Sequence, residues 1–176
     1  MIISLTGFMG CGKSSIGRRL SELLCCPFMD LDHVIEEKAG RTIPEIFATD
    51  GEAVFRQMES ETLKEIALAE NIVLALGGGT VMTRECADLV SEKTLCFYLR
   101  SSIETLLNHL SGEADGRPML KTSCRRNNLK TRIEELMSQR SAIYEKTAHV
   151  IIDIDSKSIE EISEDIIRVL RDREGL

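Results

Sequence analysis

The chain has no tryptophan, two tyrosines, five phenylalanines and three prolines among its 176 residues. So few rings exclude a base-stacking surface of the kind that single-stranded nucleic acid requires. Basic charge is also short, with 22 Lys and Arg against 29 Asp and Glu and a net charge of −7. General nucleic-acid binding needs a basic footprint, so an anionic ligand here must be gripped by local arginines. The six cysteines (Cys11, Cys25, Cys26, Cys86, Cys96 and Cys124) contain no CxxC pair, and His33, His109 and His149 stand apart from them. That disfavours a zinc site or a disulfide framework, and free thiols fit a reducing compartment. No apolar run reaches the ~18 residues of a membrane span, and the apolar start lacks the basic lead of a signal peptide. The expectation is a cytoplasmic protein that binds neither membrane nor nucleic acid.

What is present is an ordinary soluble balance, 43% hydrophobic and 29% charged, at a length that suits one α/β domain over residues 1–176. Strand-like apolar runs alternate with helical patterns, the signature of parallel βαβ units. The expected strands are Ile2–Leu5, Pro27–Met29, Ile72–Leu76, Thr94–Leu99 and His149–Ile152, with helical patterns between them, including a stretch from about His33 to Glu70. Capping boxes at Thr42/Glu45, Ser101/Glu104 and Ser158/Glu161 mark helix starts. The last opens an amphipathic helix carrying Ile159, Ile162, Ile166 and Leu170. Ser111–Cys124 has no period and two glycines, which reads as a surface loop or, given its length, more often as a lid or binding loop, or as disorder.

Gly7-Phe8-Met9-Gly10-Cys11-Gly12-Lys13-Ser14 fits the phosphate-binding pattern G-x-x-x-x-G-K-[ST] between the first strand and its helix. Glycines let successive backbone N–H groups turn towards a phosphate, and the helix N-terminus adds partial positive charge. Lys13 is then placed to reach the β- and γ-phosphates, and the Ser14 hydroxyl is the expected Mg²⁺ ligand. A guanine-reading Asn-Lys-x-Asp is absent. Asp153 lies on the last strand, too late for a motor or transport ATPase, and reads as a strand-end residue. A small-molecule kinase is what is left.

Three further clusters suggest the acceptor side. Asp30-Leu31-Asp32 places two carboxylates on one face if the chain is extended, or supplies a helix N-cap. Arg56 and Glu59 share a helix face, which taken alone is more often a surface ion pair. Gly77-Gly78-Gly79 follows a strand directly, where α/β sheets bind ligands and where backbone can approach a substrate closely.

In order, GxxGxGKS, DLD, FRxxE, GGG, RPML and R-x-x-x-Y resemble the shikimate kinase family across nearly the whole chain. The resemblance implies a three-layer P-loop kinase fold, a five-stranded parallel sheet flanked by helices. A helical substrate-binding segment spans about 32–60 and a lid about 109–124. It also implies ATP-dependent phosphorylation of the 3-hydroxyl of shikimate, with one Mg²⁺ ion, ATP/ADP and shikimate as ligands, and a monomer. On matching positions, Gly10, Cys11, Gly12, Lys13, Ser14 and Ser15 cradle the phosphates, and Ser14 and Asp30 serve the metal. Asp32 binds the acceptor hydroxyls and is placed to take a proton. Arg56 and Arg140 grip the shikimate carboxylate, and Gly77, Gly78 and Gly79 give backbone contact. Arg117 reaches the transferring phosphate from the lid. The chain departs from the pattern in two places: His109 stands where an adenine-stacking arginine is usual, and Arg140 and Tyr144 lack the proline often found between them. Gluconate kinase and adenylate kinase share features of this arrangement, as would a P-loop module that binds without catalysing.

Overall fold

The structure is a computed structural model that describes residues 1–111 and 126–174. Its five strands are β1 (Ile2–Thr6), β2 (Phe28–Asp30), β3 (Ile72–Ala75), β4 (Leu95–Arg100) and β5 (Val150–Asp153). They form one all-parallel sheet in the order β2-β3-β1-β4-β5. β1 is central and buried along its whole length, as expected of a parallel strand covered on both faces. Its neighbours belong to opposite halves of the chain, so the crevice beyond its carboxyl end is a topological switch point.

Among the described residues the helices are α1 (Lys13–Leu24), α2 (Leu31–Ala39), α3 (Ile43–Thr49), α4 (Gly51–Ile66), α5 (Arg84–Lys93), α6 (Ile103–Leu110), α7 (Arg126–Thr147) and α8 (Ile159–Glu174), with a 3₁₀ turn at Thr80–Met82. α1 packs with α8, and α7 packs against α5 and α6. No helix among the described residues is long and apolar enough to cross a membrane.

The stretch expected to be helical from His33 to Glu70 is three helices. Gly40, in the left-handed region at φ 63°, ends α2, and Gly51, at φ 84°, opens α4. α3 carries the expected capping box, with Thr42 and Glu45 bonded reciprocally. Ser158 and Glu161 do the same at the start of α8. In place of the third expected box, α6 has a simple cap one residue later. Ser102, not Ser101, caps α6 by accepting from the Thr105 amide, while Ser101 is buried. The reason is tertiary: the Asp155 carboxylate accepts from the Ser102 amide at 3.0 Å and fixes the chain entry there. Asp153 ends β5 in a two-pronged ion pair with Arg100.

Candidate active site

One cavity of about 750 Å³ opens at the carboxyl ends of β1, β2 and β3. It is lined by the loop Met9–Ser15, by Asp30 and Asp32, by Arg56, Glu59 and Gly77–Gly79, and by His109 and Arg140. Every expected site residue that falls within the described chain lines this space. Arg117, and the expected lid beyond residue 111, lie outside the described residues.

The cradle is built by backbone. Gly10 and Gly12 have φ of 80° and 87°, a region that L side chains rarely adopt. Gly12 is also the N-cap of α1 and contributes no side chain to the first amides, and the first turn holds no acidic residue. α2, by contrast, is capped by the Asp30 carboxylate. The free amides at the start of α1 are therefore available to an anion, and the helix dipole favours one there. Lys13 is buried and donates to the carbonyls of Gly7 and Phe8, each at 2.9 Å. From the far wall, the His109 Nδ1–H donates to the Gly10 carbonyl at 2.8 Å.

Asp30 does two jobs. One oxygen accepts from the amides of Asp32 and His33 to cap α2, and the other accepts from the Ser14 hydroxyl at 2.5 Å. The N-cap reading of this cluster is therefore right for Asp30, and the extended-chain argument is not. Asp32 sits in the first turn of α2 rather than on a strand. It nevertheless lines the same cavity, with its Oδ1 close to Gly77 just beyond β3. Burial pushes the Asp32 carboxyl up to about 6, reinforced by the negative charges of Asp30 and Glu59 and only partly offset by Lys13 and Arg56.

The Arg56–Glu59 pair is an internal device rather than a surface one. Glu59 is 1% exposed, bonds Arg56 Nη1 at 2.7 Å and accepts from the Thr80 hydroxyl at 2.5 Å. Each of the three glycines lets another group approach closely. A Cβ on Gly77 would stand 2.7 Å from Asp32 Oδ1, on Gly78 3.1 Å from the Met9 amide nitrogen, and on Gly79 2.8 Å from Arg56 Nη1. The Gly78 carbonyl in turn accepts from Arg140 Nη1 at 3.2 Å and from the Tyr144 hydroxyl. Burial raises the Tyr144 phenol and keeps it a donor. Arg140, 5% exposed and stacked 5.9 Å from the Phe8 ring centre, is held firmly without the usual proline.

The model of the family "Shikimate kinase" matches residues 9–171. The chain belongs to the shikimate kinase family. The shikimate kinase of Dictyoglomus turgidum is 40% identical over 173 residues, covering 97% of both chains. That of Thermus thermophilus is 39% identical, covering 96% of this chain and 89% of the relative. Among solved structures, shikimate kinase from Acinetobacter baumannii in complex with shikimate superposes with a TM-score of 0.92 at 31% identity, over 98% of this chain and 93% of the other. The expected family and the expected P-loop kinase fold are both borne out.

Several lining residues of this shikimate kinase fold were not assigned to the site from the sequence. Glu36, Ile43, Pro44, Phe47 and Phe55 wall the cavity from α2, α3 and α4, Ile154, Lys157 and Ser158 from the turn after β5, and Ile159 from the start of α8. The apolar members read as ordinary core in a linear pattern. Only Glu36 offered a signal, as a carboxylate one helical turn beyond Asp32.

Proposed function

We propose that this protein transfers the terminal phosphoryl group of ATP to the 3-hydroxyl of shikimate, giving shikimate 3-phosphate and ADP on the route to chorismate and the aromatic amino acids. The observation that carries this reading is a single cavity with a phosphate cradle at one end and, at the other, two guanidinium groups beside a carboxylate of raised pKa. Phosphoryl transfer needs in-line placement and charge neutralisation more than covalent chemistry.

The amides of Gly10–Ser15 hold the phosphates, and Lys13 exchanges its two carbonyl partners for phosphate oxygens. Arg56 and Arg140 offer a carboxylate planar, multidentate donors, while Gly77–Gly79 let the acceptor ring approach the backbone. Asp32 orients the hydroxyl and takes its proton, a task for which a pKa of about 6 is well matched near neutral pH. Arg117 adds positive charge to the transferring group from the segment beyond residue 111.

A single Mg²⁺ ion fits the donor set. The cavity's lining cations (Lys13, Arg56, Arg140, Lys157) are balanced by Asp30, Asp32, Glu36 and Glu59, so a polyphosphate calls for further positive charge. Ser14 and Asp30 present adjacent hard oxygens, and Mg²⁺ characteristically binds one or two such groups plus phosphate and water. When bound, the ion neutralises phosphate charge and orients the terminal group. The protein acts as a monomer.

A coupled ADP-release assay with shikimate, gluconate or AMP as acceptor tests the reading. Shikimate alone supports turnover; turnover with gluconate or AMP and none with shikimate overturns it.

A further inference from the structure

Arg56 is the most heavily compensated cation of the site. Nη1 is bonded to Glu59 at 2.7 Å, and Nη2 to Glu52 at 3.3 Å, one turn earlier on α4. Arg140 differs. Its hydrogen-bond partners among the described residues are uncharged, the carbonyl of Gly78 and the phenol of Tyr144. An incoming carboxylate therefore meets one guanidinium with charge to spare and one already engaged by two acids.

The two acids on Arg56 are not equivalent. Glu59 is 1% exposed and its second oxygen is fixed by Thr80. Releasing a buried carboxylate from its partner leaves an uncompensated charge in low dielectric, at a cost of several kcal/mol. Glu52 is 52% exposed and lies outside the cavity wall, so it can swing into water at the small cost of a surface ion pair. Gly79 lies close against both guanidinium nitrogens, so the guanidinium has little room to move and the exposed Glu52 is the partner that can be vacated.

We propose that Glu52 is a positioning residue acting through Arg56. It holds the substrate-binding guanidinium in place while the site is empty and competes with the substrate carboxylate for it. Glu52 thereby sets a weaker affinity for shikimate than Arg56 could otherwise give, and it keeps Nη2 from being taken by casual anions. The inference rests on the reading of Arg56 as the carboxylate-binding group.

The test is titration calorimetry of shikimate and, separately, of Mg-ATP with wild type, Glu52→Gln and Arg56→Ala. Glutamine keeps the size of the side chain and removes its charge. Because exposed i,i+4 pairs contribute only a few tenths of a kcal/mol to a helix, the variant folds, which circular dichroism checks. Glu52→Gln binds shikimate about two- to fivefold more tightly than wild type, the range a largely exposed ion pair allows, with Mg-ATP affinity unchanged. Arg56→Ala binds shikimate far more weakly. General damage to α4 weakens binding, so tightening separates this role from a structural one. Unchanged or weaker shikimate binding by Glu52→Gln overturns the proposal, as does equal tightening of Mg-ATP. If wild type itself binds no shikimate, or Arg56→Ala binds it as wild type does, the underlying reading of the site fails instead.

Discussion

The two ends of the cavity are built in opposite ways. The proposed phosphate cradle is one unbroken stretch, Gly7–Ser15, built of backbone amides and a lysine that bonds back to its own loop. The acceptor end is gathered from α2, α4, the Gly77–Gly79 turn and α7. Its contacts cross 21 residues from Glu59 to Thr80, 62 from Gly78 to Arg140 and 66 from Gly78 to Tyr144. A cradle of amides depends on local φ and ψ, so one short motif specifies it. A pocket of side chains depends on the whole sheet being assembled, because only the sheet brings those groups within hydrogen-bond reach.

Three experiments break or sharpen this contrast. The largest effect belongs to the local end. Lys13→Ala removes the cradle's single side-chain cation and lowers kcat by about 10³-fold or more, in the range seen when one transition-state donor is deleted. A loss under tenfold, measured by ADP release, makes the backbone alone sufficient and the contrast sharper than stated.

Asp32 comes next. With its carboxyl near 6 in the folded state, log kcat/KM for shikimate falls on the acid side below about pH 6, where the group is protonated. Asp32→Asn lowers kcat by about 10²- to 10³-fold and abolishes that acid limb. The sign for stability is opposite. The folded pKa lies above the ordinary value of 3.8, so ionisation of Asp32 costs stability as pH rises from about 4 through 6. Thermal melts then show Asp32→Asn more stable than wild type at pH 7, with the gap closing towards pH 4. A wild-type advantage at pH 7 contradicts the assignment of burial as the cause.

The smallest effect isolates packing at the assembled end. Gly79 has φ −114°, which any residue adopts, so Gly79→Ala adds no backbone strain and only pushes a methyl into the Arg56 guanidinium. The shikimate KM rises about tenfold while the ATP KM stays within about twofold, because displacing a binding group by about 1 Å is costly only to the ligand it holds. Equal changes in both constants dissolve the distinction between the two ends.

Much of the site was legible in the chain because glycines and charged residues are informative where conformation is demanding. Gly10, Gly12 and Lys13 announce a nucleotide loop by spacing alone, and three successive glycines after β3 announce a close approach. The acidic pair was legible in identity but not in geometry. Asp30 and Asp32 alternate in sequence as strand residues would, yet the Asp30 carboxylate caps α2 and turns the chain helical at Leu31. Glu59 was misjudged for the same kind of reason. Helical spacing puts Arg56 and Glu59 on one face, but it cannot tell which face the sheet will bury.

What the sequence by itself determined is the parallel α/β order, the phosphate loop and the residue types of the acceptor end. Those follow from hydrophobic period, from glycine's access to positive φ and from the charge that each ligand demands, all properties of short segments. Tertiary structure alone decided that Glu59 is internal, that Ser102 rather than Ser101 starts α6 and that Asp32 has a raised pKa. It also decided that Arg56 is divided between a buried acid and an exposed one. Each of these depends on which groups distant in the chain exclude water from one another, and solvent exclusion is a property of the packed whole.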